Sequence, residues 1–263
     1  MKIQVDELEP KKAVLTIQGA EIYIINTLRR IMLSEVPKLA IDDVVIYDNT
    51  SALFDEIIAH RLGLVPLPTD LDLLTYRDEC TCKGKGCPNC TVRYTLSKEG
   101  GGMVYSGDLQ PAEKSWAVTE REIPLVELFG DQRLILEVEA VLGQAKNHAK
   151  WQAVQAPGYR LIPTISFDPK RKTDVEDFVD ELPEDLVSIK KDSLQLHDIK
   201  KLSVLESYID SEKIDFISID TDLNHVQFHF ETDGALTADD ALMTAIEIFE
   251  DKLDDFEKQL KKL

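Results

Sequence analysis

From Ala238 to Lys262 no glycine or proline interrupts the chain, and Leu242, Ile246, Phe249, Leu253, Phe256 and Leu260 step by 4, 3, 4, 3, 4. That is the heptad spacing of a helix-to-helix seam. Thr237-Ala-Asp-Asp240 ahead of it has the form of a capping box with Asp in the acidic position. A helix of this extent is roughly 37 Å long at 1.5 Å per residue. Six such side chains contribute on the order of 10 kcal/mol once buried, before ordering costs. Whatever the fold, it must give this stripe a partner surface. A short sheet of the same chain can cover part of it, and the length of the seam points to a second chain for the rest.

All four cysteines, Cys80, Cys82, Cys87 and Cys90, lie in one short loop between β-type segments. The opening Met1-Lys2-Ile3-Gln4-Val5-Asp6 alternates as a strand does, where a signal peptide would carry an apolar core, and no stretch is apolar enough to span a membrane. The expectation is therefore an intracellular, cytoplasmic protein whose thiols stay reduced, which favours metal ligation over disulfides. Cys80-Thr-Cys82 and Cys87-Pro-Asn-Cys90 supply two thiolate pairs suited to tetrahedral zinc, with Gly84 and Gly86 allowing the loop to fold tightly and Arg77, Lys83, Lys85 and Arg93 placed to offset the negative charge. An iron–sulfur cluster and unligated thiols are the alternatives. With four cysteine ligands no position is left for water or substrate, so such a zinc would be structural, one per chain, and not catalytic.

Thirty Lys and Arg against 49 Asp and Glu leave a net charge of −19. A surface of that sign repels a phosphate backbone, so a free-standing zinc module that binds nucleic acid is disfavoured and no direct nucleic-acid partner is expected. The five histidines are scattered. None sits in a zinc-protease arrangement, and no Gly-rich loop ends in Lys-Ser or Lys-Thr. A metallohydrolase using the cysteine loop would need an open metal position. No catalytic residue is assigned.

Along the rest of the chain, Lys2–Leu8 and Ala13–Gln18 read as strands, and Ile22, Ile25, Leu28 and Met32 form the buried stripe of a first helix ended by Pro37. Residues 43–170 are rich in short β-type runs. Residues 171–212 read as a small acidic helical insertion, with Val175, Phe178, Val179 and Leu182, then Ile199, Leu202, Leu205 and Ile209, at helical spacing. Phe216–Ile219 and His225–Glu231 read as two strands around a turn at Thr221–Asn224. Arg29 and Arg30 on the first helix and His148, Lys150 and Trp151 are basic or aromatic positions in an acidic background, read either as solvated surface or as the rim of an interface.

Five blocks carry a family resemblance. Asn26-Thr-Leu-Arg-Arg-Ile-Met-Leu-Ser-Glu-Val-Pro-Lys-Leu-Ala-Ile-Asp42, Phe54-Asp-Glu-Ile-Ile-Ala-His-Arg-Leu-Gly-Leu-Val-Pro-Leu67, the cysteine loop running into Thr91–Leu96, Gly143–Val154 and Glu231–Thr237 follow one another as they do in the alpha-like RNA polymerase subunits, which the chain resembles most in their archaeal branch. The resemblance implies an α+β fold: a discontinuous dimerisation domain (1–42 and 213–263, a short sheet plus a helix from each end) interrupted by a mainly β insert domain (43–170, zinc loop 80–90) and the 171–212 insertion.

It also implies a non-catalytic assembly subunit of a DNA-directed RNA polymerase. Such a subunit pairs through its first and last helices with an L-like small subunit to seat the large catalytic subunits. Arg29, Arg30, His148, Lys150 and Trp151 would contact the large subunits, and the N and P small subunits would be neighbours. Two departures stand out. Some members carry iron–sulfur cysteines in the region matching 171–212, whereas no cysteine follows Cys90, so that cluster is expected to be absent. The Cys82–Cys87 gap is one residue longer than in the eukaryotic form. A bacterial alpha is disfavoured because no linker and basic DNA-binding tail follows Leu263. The alternative is a free-standing zinc-loop interaction protein.

Overall fold

The computed structural model describes residues 1–191 and 193–262. In chain order its elements are β1 (Lys2–Glu9), β2 (Lys12–Gln18), α1 (Ile22–Ser34), β3 (Lys38–Asn49), α2 (Asp55–Gly63), β4 (Val92–Glu99), β5 (Gly102–Tyr105), β6 (Gln110–Pro111) and β7 (Pro124–Leu128). They continue with β8 (Arg133–Gly143), β9 (Val154–Phe167), α3 (Lys172–Glu181), β10 (Val187–Lys190), β11 (Ser193–Leu196), α4 (Leu202–Glu212), β12 (Ile217–Thr232) and α5 (Ala238–Leu260). The fold is mixed α+β. The chain divides into two compact units, each assembled from several stretches: 1–6, 14–25 and 158–228 in one, 7–13, 26–157 and 229–263 in the other.

The first unit is built on a six-stranded sheet of order β1-β2-β12-β9-β11-β10. β10 and β11 form an antiparallel hairpin, and Leu194 of β11 lies opposite Ile165 of β9. Val175 and Phe178 of α3 and Leu205 of α4 pack with Ile165, Phe167 and Ile217 into one apolar cluster. Two expectations need correction here. The 171–212 segment is not purely helical, because its hairpin extends the sheet through β9. The turn expected at Thr221–Asn224 does not break the strand, since β12 runs through it to Thr232 with those four residues exposed or half-exposed. β12 continues as a strand between β2 and β9, and Asp222 expresses its turn preference only locally, accepting the Asn224 amide at 2.9 Å.

The second unit carries a four-stranded sheet of order β3-β8-β4-β6 and the small β5-β7 pair. Period-two alternation sends Leu134, Leu136, Val138 and Ala140 of β8 and Val92, Tyr94 and Leu96 of β4 into one core with Ile58 and Leu62 of α2. Tyr94 is buried whole, and its hydroxyl is satisfied by donating to the Trp116 carbonyl at 2.9 Å.

A buried ion pair joins the start of β3 to the approach to α5. Lys38, 3% exposed, pairs with Asp233 and donates to the Gln152 carbonyl at 3.3 Å. Removing one partner strands the other charge away from water. Lys38→Met is therefore expected to cost about 3–5 kcal/mol and lower the melting temperature by about 10 °C, with much of the loss restored by adding Asp233→Asn. Melting of the single variant at the parental temperature would show that the pair contributes nothing.

Candidate metal centre and exposed helix face

The loop between α2 and β4 brings the four cysteine sulfurs within 4.8 Å of one another. Cys80 and Cys87 are 3.5 Å apart, Cys82 and Cys90 3.6 Å, and Cys87 and Cys90 3.8 Å. Four sulfurs around one ion at a zinc–sulfur distance near 2.3 Å sit about 3.8 Å from each other, whereas a disulfide needs about 2 Å. The arrangement is a four-sulfur cluster able to take one metal ion and compatible with zinc.

Two tight backbone turns shape it. Lys83, Gly84 and Gly86 all have positive φ, at 56°, 75° and 80°, letting the chain curl between the cysteine pairs. Cys90 and Thr91 both donate their amides to the Cys87 carbonyl at 2.9 Å, and the Cys87 amide points at the Cys90 sulfur at 3.4 Å. Hydrogen bonding from the Cys82 backbone draws the Cys80 thiol below its ordinary range. Cys87 is held above it: the Asn89 backbone acts to lower it, but hydrogen bonding to the Cys80 sulfur and burial outweigh that. A dication must displace the remaining thiol protons, so binding competes with acid.

Arg77 is the cation tied to this loop, donating from Nε to the Gly84 carbonyl at 3.1 Å while its other end lies 3.5 Å from Asp43 and Glu139. Arg93 points elsewhere, pairing with Glu139 at 2.7 Å.

On α5, Thr237 accepts the Asp240 amide at 3.1 Å and donates its hydroxyl to the Asp240 carboxylate at 2.6 Å. Thr237 thus caps the helix as expected, with Asp240 answering through the Thr237 hydroxyl where a capping box would use its backbone amide. Ala238, Ala241 and Ala245 form the fully buried side of this helix. Leu242, Ile246 and Phe249 are half-buried, and beyond them Leu253, Phe256 and Leu260 are 54%, 62% and 51% exposed. On α1, Ile25 and Met32 are buried, Ile22 and Leu28 half-buried. Ile31, 2% exposed, joins the buried side although the stripe did not include it.

Of the basic positions, Arg29 folds back on its own helix, donating from Nε and Nη2 to Asn26 at 3.1 and 3.0 Å, while Arg30 is exposed. Lys150 is committed inward: it reaches the Ile41 carbonyl at 3.1 Å and Asp42, and lies 4.3 Å over the Trp151 ring. The Trp151 indole donates to the Val141 carbonyl at 3.1 Å, and its ring occupies the space a Cβ on Gly143 would need. His148 caps this turn by accepting the Lys150 amide at 3.0 Å and stays exposed. Sequence reading did not single out Phe54, Ile57 and Leu64 along the outer side of α2, which are 79%, 45% and 50% exposed. Their helical spacing was the signal available.

No described helix is long and apolar enough to cross a membrane. The stretch that holds the cysteine loop falls in a known class: residues 40–166 match the family described as the RNA polymerase Rpb3/RpoA insert domain. Full-length relatives refine this. The chain is 38% identical over 97% of its length to "DNA-directed RNA polymerase subunit Rpo3" of Methanosphaera stadtmanae, covering 96% of that protein. It is 36% identical to the protein of the same name from Thermoplasma volcanium, over 94% of each chain. It is 32% identical to that of Archaeoglobus fulgidus over the whole of both. The chain belongs to the Rpo3 family of DNA-directed RNA polymerase subunits.

Proposed function

We propose that this chain is a non-catalytic assembly subunit of an archaeal polymerase, holding the position of the D-type alpha-like subunit and acting in the cytoplasm. It pairs with an L-like small subunit through α1 and α5, and the pair then seats the two large subunits, with the N and P subunits beside them. The observation that carries this reading is the apolar stripe of α5, which continues past its half-buried stretch to Leu253, Phe256 and Leu260, each more than half exposed. Residues 1–42 and 213–263 act together as the pairing domain, and 43–170 is the insert. The cysteine cage holds one structural zinc. Arg30 and His148 are the exposed candidates for large-subunit contact, while Lys150 and Trp151 support that surface from within.

The test is affinity purification of the tagged chain from its own cells, with mass spectrometry of what survives a salt wash. Stoichiometric recovery of an L-like subunit and both large subunits is expected. Recovery of the chain alone from transcribing cells would overturn the assembly role and leave the free-standing zinc-loop protein as the reading.

A further inference from the structure

A groove of about 690 Å³ lies between α5 and the 69–79 segment of the second unit. Its apolar floor includes Leu74, Leu142 and Leu236, all buried, and Met243 at its α5 wall is 51% exposed. Its rim is acidic, with Asp70, Asp72, Glu79, Asp240 and Glu247, and no Lys, Arg or His lines it. Asp70 is used by the Asp72 and Leu73 amides and Asp240 by Thr237. Among the described residues, Asp72, Glu79 and Glu247 make no ion pair. These carboxylates do not converge on one point as metal ligands do; among the described residues the four cysteines are the group that does. At 100° per residue, Asp240 and Glu247 fall about 140–160° round α5 from the centre of the Leu242-to-Leu260 stripe, and Met243 about 100° from it, on the flank between stripe and groove.

We propose that this groove holds a lysine-bearing, partly apolar segment of a partner polypeptide, a site separate from the pairing seam. Charge complementarity selects the partner: an apolar floor favours a peptide with hydrophobic side chains, and unpaired carboxylates around it favour cations and exclude nucleic acid. The inference rests on the assembly reading only in supplying the complex in which it is tested.

The experiment uses the native assembly isolated through the tagged chain. A carbodiimide couples carboxylates to nearby lysines, and brief peroxide treatment oxidises accessible methionine. Expected are amide links from Asp72 or Glu247 to lysines in a segment of another polypeptide that also carries apolar residues, and oxidation of Met243 roughly tenfold slower in the assembly than in the isolated chain. Asp72→Lys with Glu247→Lys should remove both signals while the isolated variant melts as the parent does. Links only to a second copy of this chain, or Met243 oxidised equally fast in both states, would overturn the proposal. A chain that pairs through α5 yet leaves the groove open overturns this site alone. A chain recovered without any partner overturns both this site and the assembly reading.

Discussion

Replacing Leu253 and Phe256 together by aspartate is expected to abolish pairing with the L-like subunit while leaving the isolated chain folded. Both side chains are more than half exposed in the single chain, so their loss removes little of its own packing. In the pair they would move from water into a helix seam, each contributing about 1.5–3 kcal/mol when fully covered, and two buried carboxylates would add a desolvation penalty. A combined loss near 5 kcal/mol corresponds to about 10³–10⁴ in the dissociation constant. Calorimetric titration of the two purified subunits measures it, with thermal melting of the variant as the control. Undiminished heterodimer formation would remove α5 from the interface.

The second large effect concerns the metal. Elemental analysis is expected to find about one zinc and essentially no iron per chain, and Cys90→Ser to lose that zinc. Structural zinc in small peptides is held with roughly 10–16 kcal/mol, which is more than a loop of this size can draw from packing. Chelation should therefore unravel residues 80–90, and hydrogen exchange should speed up there and at the start of β4, whose first residue, Val92, follows Cys90 by two positions. Leu134, Leu136 and Val138 of β8 pair with β3 on one edge and with the later part of β4, Tyr94 to Lys98, on the other, away from the cysteine loop, and should keep their protection. Stoichiometric iron in anaerobically purified protein would replace zinc with a cluster. Unchanged exchange after chelation would make the cage dispensable to the loop.

The features legible in the sequence were those written in local periodicity or local chemistry. The α5 stripe, its Thr237 cap and the four-cysteine loop each depend on residues within a few turns of one another, and the helix, cap and sulfur cage all appear where expected. What escaped depends on partners far away in the chain. The β10–β11 hairpin is too short to show alternation, and β9 gives it a sheet to join. β12 carries turn-forming residues whose local bond, Asp222 to the Asn224 amide, forms without ending the strand. Lys150 looked like an exposed cation because nothing nearby in sequence announces Ile41 and Asp42 as its partners. The Lys38–Asp233 pair, separated by most of the chain, leaves no local trace at all.

The second unit draws its residues from both 26–157 and 229–263. During synthesis, the sheet core that closes at Leu142 is available before α5 exists, and about a hundred further residues must leave the ribosome first, roughly 5–20 s of translation. The exposed stripe is thus the last described surface to appear. A nascent or truncated chain cannot present it, so a partner that recognises this stripe would take up only chains whose preceding parts have already been made.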